Sequence, residues 1–225
     1  MSPRVSSARD MRLVRRLFLP LLALLTASCG APSMHERLEQ ARHSLAEINT
    51  LSTHPTPEEM KKAAGVALLS LGQGGVVIGG EGGGGIVMQR MTGGWGSPYA
   101  VDLGAGTIGL QLGGQGKDVL ILFNDAASLQ EFVKGGMQLQ AVGEGTIGAA
   151  SGNTKEPRLN TTVFVKSQGL FGGLELGGLN VGPATSVNTG AYGKAETDAI
   201  LSGKVQPANV KSPLDRLIKM LDAMQ

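Results

Sequence analysis

Apolar residues recur along this chain in two rhythms, a helical one near the start and a shorter, glycine-punctuated one after it. Leu38, Ala41, Leu45 and Ile48 fall at helical spacing with Glu36, Arg37, Glu39 and Glu47 between them, which predicts an amphipathic helix from about His35 to Thr50. A second helix is predicted with Thr56 as N-cap, Pro57 at the first helical position and Glu59 completing a capping box, ending near Gly65. Strands are then predicted at about Ala67–Leu71, Gly75–Gly80, Ile86–Met91, Tyr99–Leu103, Thr107–Leu112 and Val119–Phe123, and again at Gln138–Val142, Thr146–Ala150, Thr162–Lys166 and Leu170–Leu176. Turns are predicted at Gly72-Gln73-Gly74, Glu81-Gly82-Gly83-Gly84, Thr92-Gly93-Gly94 and Gly113-Gly114-Gln115-Gly116. Asp125 or Asn124 caps a short helix through Lys134 that Gly135-Gly136 ends. A linker from Val205 to Lys211 leads to a last helix capped by Ser212, whose Leu214, Leu217, Ile218, Leu221 and Met224 make one apolar face. That face is expected to dock on the parent domain. The fold expected is mainly β with flanking helices (α+β): a glycine-rich antiparallel β barrel or sandwich with two N-terminal helices and one C-terminal helix.

The first thirty residues carry a different pattern. Arg12, Arg15 and Arg16 precede an apolar run from Leu17 to Leu25, broken only by Pro20. The run is too short to span a bilayer, which needs about 20 apolar residues, and has the proportions of a secretory leader starting at Met1 or Met11. Leu25-Thr26-Ala27-Ser28-Cys29-Gly30 resembles the lipobox of bacterial lipoproteins, with Thr26 where Leu is usual. Cys29 is the single cysteine, so no disulfide framework forms, and acylation is its expected fate. Gly30 in place of aspartate implies, by the same resemblance, an outer-membrane destination facing the periplasm. The expected division is 1–28 signal peptide, 29–34 tether, 35–203 globular domain and 204–225 linker with C-terminal helix.

Charge looks different once the leader is set aside. The chain has 20 Lys+Arg and 18 Asp+Glu, but five arginines and Asp10 precede Cys29, leaving 15 basic and 17 acidic residues. Without a basic face or many aromatics, no nucleic-acid partner is expected. Glycine, at 35 of 225 residues, is interleaved with Val, Ile and Leu, which favours a glycine-rich sheet over a disordered tail.

The chain offers little to catalysis. Gly104-Ala105-Gly106-Thr107-Ile108-Gly109 fits G-x-G-x-x-G, but Leu110-Gln111-Leu112 after it has the pattern of a strand, where a dinucleotide site needs a helix. Gly116-Lys117 fails as a P-loop, with Gln111 and Asp118 at the key positions. His35, His43 and His54 all precede the predicted sheet, which leaves it without a histidine for a triad or metal site. Neither catalytic residues nor a metal or cofactor is expected. Lys61 and Lys62, just ahead of the sheet, are candidate contacts for anionic lipid headgroups.

Six stretches in order resemble the SYLF domain, a lipid-binding family found in bacterial lipoproteins and in endocytic adaptors. They are Ala63 to Leu69, Gly74 to Gly80, Gly93-Gly94-Trp95-Gly96-Ser97-Pro98, Gly109 to Gly113, Ser167-Gln168-Gly169-Leu170-Phe171-Gly172-Gly173-Leu174-Glu175-Leu176, and Asn188-Thr189-Gly190-Ala191-Tyr192-Gly193. The last resembles the family's N-x-x-x-Y-G ending, and Gly96 is an insertion in its G-W-S-x-P turn. The resemblance spans roughly Leu38 to Gly193. It implies membrane-lipid association through an anionic phospholipid or a phosphoinositide-like headgroup, without enzymatic activity. The alternative is a structural lipoprotein that binds an envelope protein and meets the membrane only through the Cys29 lipid.

Overall fold

The computed structural model describes residues 32–73, 81–105, 115–135, 137–139, 145–148, 159–168 and 179–225, all within one unit, Pro32–Gln225. In chain order the elements are α1 (Met34–Ile48), α2 (Pro57–Lys62), β1 (Gly65–Gln73), β2 (Glu81–Met91), β3 (Gly94–Trp95), β4 (Tyr99–Ala105), β5 (Gln115–Phe123), α3 (Ala126–Lys134), β6 (Met137–Leu139), β7 (Gly145–Gly148), β8 (Thr161–Gln168), β9 (Leu179–Pro183), α4 (Thr185–Tyr192), α5 (Thr197–Leu201) and α6 (Lys211–Ala223).

One antiparallel sheet holds the strands in the order β6-β9-β4-β2-β1-β5-β8-β7, with β3 paired to β2. Among the described residues no ladder closes β6 onto β7. The sheet is nonetheless strongly curled. Seven strand spacings laid flat would separate its edges by about 34 Å, yet Leu139 of β6 and Gly145 of β7 are six residues apart and so at most about 22 Å. The antiparallel α+β architecture is the one expected from sequence, realised as a single curled and unclosed sheet.

Both faces of the sheet are buried. Ala67, Leu69, Leu71, Val87, Val101, Val119, Ile121, Val163 and Val165 share one side with Phe132 of α3 and with Ile200 and Leu201 of α5. On the other side Val66, Leu68, Ile86, Met88, Leu120, Leu122 and Phe164 meet Leu38 and Leu45 of α1, Met60 of α2, and Leu214, Leu217 and Leu221 of α6. The apolar face of α6 is thus spent on its own domain, as its amphipathic pattern predicts. This helix begins at Lys211 behind Val210 without a side-chain cap, and Ser212 accepts a bond from Arg216 instead of capping. The second helix stops at Lys62 rather than near Gly65, because β1 has already started there. Helices α4 and α5 have no counterpart in the sequence reading.

Two predicted turns are strands. Glu81 to Gly84 lies inside β2, and Gly72-Gln73 inside β1, where they pair with each other. In β2, Gly83 and Gly84 serve close approach, not chain reversal. A Cβ at Gly84 would sit 2.6 Å from Nη2 of Arg37, so only glycine leaves room for that guanidinium on the sheet. Predicted strands at 75–80, 107–112 and 170–176 lie outside the described residues.

Arg37 belongs to a polar row that seats α1. Asp102, Gly84, Ser70, Asp118 and Lys166 are lateral partners on five neighbouring strands. Over them, Arg37 pairs with Asp102, Ser44 donates to Asp118 at 2.6 Å, and Lys166 reaches Glu47 at 2.7 Å. Ten residues of helix cover about 15 Å and four strand spacings about 19 Å, so α1 lies across the strands. Burial depresses the pKa of Arg37 while Asp102 opposes that shift, and Nε of Arg37 is left without a partner.

Candidate functional site

The lysines singled out from sequence stand at the end of the sheet where β1 begins. Helix α2 forms as its signals predict: Thr56 Oγ1 accepts from the Glu59 amide, the Glu59 carboxylate accepts from the Thr56 amide at 2.8 Å, and Pro57 occupies the first turn. Acidic residues in the first turn and Lys61 and Lys62 in the last both suit the helix dipole. Met60 is fully buried and pins the helix to the core, which turns the two lysines outward. Lys62 lies 3.5 Å from Glu58 with both side chains mostly in water, a pair worth little. No ion pair among the described residues engages Lys61.

The carbonyls that end α2 are held by Arg90, a residue the sequence did not mark. Its Nη2 donates to Met60 O at 2.7 Å and its Nε to Ala63 O at 2.9 Å, while its backbone amide donates to Ala64 O at 2.8 Å. A cation at a helix C-terminus compensates the unpaired carbonyls there. The guanidinium also stacks 4.2 Å from the Trp95 ring and donates to the Gln225 side chain at 3.2 Å. Trp95 in turn donates from Nε1 to Asp222 of α6 at 3.1 Å. Burial lowers the pKa of Arg90, and the nearby Asp222 carboxylate works against that shift. Arg90 is therefore committed to structure, while Lys61 and Lys62 face water, Lys62 beside the equally exposed Glu58.

Between Arg90 and Trp95 the chain turns through Met91-Thr92-Gly93-Gly94 at the tip of the β2–β3 hairpin. Met91 is 37 % exposed and is the exposed large hydrophobic side chain among the described residues. The turn at Thr92-Gly93-Gly94 was legible in sequence, but the placement of Met91 at the end of the sheet that α2 leads into needed the β1–β2 register.

The Asn188 to Gly193 stretch acquires a physical meaning in α4. Asn188 is buried and pairs with the backbone of Ala100, accepting from its amide and donating to its carbonyl, both at 2.8 Å. One helical turn later, Tyr192 donates its hydroxyl to Pro98 O, and burial raises the phenol's pKa. The N-x-x-x-Y spacing thus puts two hydrogen-bonding groups on one helix face against one stretch of chain. Gly96 lies beside that stretch, and a Cβ there would come within 2.9 Å of the Leu201 carbonyl carbon of α5. The insertion relative to the family turn is accommodated because glycine has no Cβ to meet that carbonyl.

Cys29 lies outside the described residues. Lys117 is buried within β5 behind Gly116, on a strand where a P-loop lysine would open a helix. His35 and His43 lie exposed on α1. Among the described residues no cluster of His, Cys, Asp or Glu could hold a metal ion, and no helix is long and apolar enough to cross a membrane.

Comparisons with known proteins agree with this architecture's sequence features. The family described as "Ysc84: Las17-binding protein actin regulator" matches residues 104–224. The chain is similar to SH3 domain-containing YSC84-like protein 1 of Xenopus laevis, 29 % identical over 200 residues that cover 82 % of this chain and 58 % of the relative. It is similar to the human protein of the same name, 28 % identical over 159 residues, 65 % of this chain and 46 % of the relative. LAS seventeen-binding protein 3 of Saccharomyces cerevisiae is 25 % identical over 173 residues, 72 % of this chain and 38 % of the relative. The chain thus spans roughly half the length of these curated relatives or less. No solved structure matches it. With more than half of its residues matched by the family and the SYLF stretches in order along it, the chain belongs to the Ysc84 family.

Proposed function

We propose that this chain is a lipid-anchored protein of the cell envelope whose SYLF-like domain binds anionic membrane lipid and catalyses no reaction. Acyl chains on Cys29 would hold it at the outer membrane, facing the periplasm. The observation that carries the domain's role is the pair Lys61 and Lys62, turned outward by buried Met60, with Arg90 taking the helix carbonyls in their place. A basic residue near an anionic surface contributes about 1 kcal/mol, so two lysines support weak contact. The anchor supplies the local concentration that makes weak contact sufficient.

The unit Pro32–Gln225 contains both buried clusters and lacks Cys29, so it isolates the domain's own affinity. It is expected to float with vesicles containing phosphatidylglycerol, with about a fivefold loss for each of Lys61→Gln and Lys62→Gln. Absence of flotation with every anionic or bacterial lipid would sink the reading. A second reading, binding of an envelope protein, draws on the family description, which names Las17 binding and actin regulation, and on the name of the yeast relative, which gives Las17 binding. Strands β6 and β7, which end the sheet among the described residues, suit it better than α6, whose apolar face is already covered.

A further inference from the structure

We infer that the tip of the β2–β3 hairpin, Met91 to Gly94, is the part of the domain that enters the apolar boundary of a bilayer, with Lys61 and Lys62 on the headgroups beside it. The inference rests on the lipid-binding reading above and adds to it an orientation and an apolar contact. A lone exposed hydrophobic side chain is ordinary on a protein surface. Three further features give this one a direction. It is the exposed large hydrophobic among the described residues, the rest being buried or partly buried. It sits at a protruding reversal: Thr92 and Gly93 are exposed, and nothing lies within 4 Å of a Cβ at Gly93 or Gly94. Its register places it next to the basic turn, because Gly65 pairs with Gln89 and Ala64 with Arg90, which sets Ala63 opposite Met91 and the lysines just beyond.

The tip is also braced from behind. Arg90 and Trp95 on its two strands stack on each other and are tied to α2 and α6 by the Met60, Ala63 and Asp222 bonds. A braced tip loses little conformational freedom on contact, so the apolar gain is not consumed by ordering. An exposed thioether at the same end of the sheet as two lysines matches the layered chemistry of an anionic membrane surface, with charge outside and hydrocarbon inside. The occupant is therefore a bilayer containing anionic phospholipid.

Trp95 is the single tryptophan in the sequence and adjoins the tip, so it reports contact directly. The unit Pro32–Gln225 is mixed with phosphatidylcholine–phosphatidylglycerol vesicles whose acyl chains are brominated near the headgroup. The expected result is a blue-shifted Trp95 emission quenched by the brominated lipid, with Met91→Ser weakening vesicle partition about tenfold at an unchanged unfolding midpoint. Protein that binds vesicles with Trp95 neither shifted nor quenched, or a Met91→Ser variant that partitions like the parent, overturns the hairpin assignment and leaves lipid binding standing. Protein that does not bind the vesicles overturns both.

Discussion

Replacing Gly96 by alanine puts one methyl group against a carbonyl that cannot move alone. The new Cβ would lie within 2.9 Å of the Leu201 carbonyl carbon and nearer still to its oxygen, where ordinary contacts begin near 3.4 Å. Either α5 or the Trp95–Ser97 stretch must retreat. Retreat breaks the bond from the Ser97 amide to Ile200 O at 3.3 Å and strains that from Ser97 Oγ to Val205 O at 2.7 Å. Each is worth about 1 kcal/mol. Ile200 and Leu201, 1 % and 0 % exposed, would lose part of their packing as well. Overpacking of this kind costs about 1–3 kcal/mol, so a total near 3 kcal/mol is expected. For a domain of this size that is a fall in melting temperature of about 6–12 °C. Gly93→Ala, three residues away with nothing within 4 Å of its Cβ, is the internal control and is expected within about 0.5 kcal/mol of the parent. Urea unfolding followed by Trp95 fluorescence measures both. Equal midpoints for the two variants would refute the argument that Gly96 lies too close to the Leu201 carbonyl for a Cβ.

Two other outcomes follow from buried groups elsewhere. Asn188→Ala leaves the amide of Ala100 without its partner, while the Ala100 carbonyl keeps the Ala184 amide at 3.1 Å, and is expected to cost about 2 kcal/mol, against about 1 kcal/mol for Tyr192→Phe, by chemical denaturation. Asp125 caps α3 by accepting from the Ser128 amide at 2.7 Å, and that bond holds its carboxyl below the ordinary value. A depressed carboxyl contributes fully above its unfolded pKa and loses the contribution as pH falls through its folded pKa. Asp125→Ala should therefore be about 1 kcal/mol less stable than the parent at pH 7, with the gap narrowing as pH falls below about 4 in a pH series of melting curves; a gap that did not shrink with acid would contradict the cap.

Local chemistry determined those features of this protein that depend on a few neighbouring residues. Thr56-Pro57-Glu58-Glu59 contains the whole start of α2, and Asp125 the start of α3, because a cap is satisfied within one turn. The spacing of Leu214, Leu217 and Leu221 was enough to foretell a helix with a face to bury. The ordered stretches sufficed for the family, because several short motifs in one fixed order are specific where each alone is not.

Lateral register decided the rest. Glycine signals a turn locally, yet in β2 it signals a neighbour too close for a side chain, and only the position of Arg37 distinguishes the two. Arg37 itself has the spacing of a solvated residue, but Asp102, 65 positions away, makes its burial tolerable. The lysines could be picked out as charged and near the sheet. That they stand beside Met91, with Arg90 occupied and Trp95 bracing the turn, follows from the pairing of β1 with β2. Hydrogen bonds between strands join residues no short motif connects, and so the sequence named the charges at this surface while the tertiary structure chose their company.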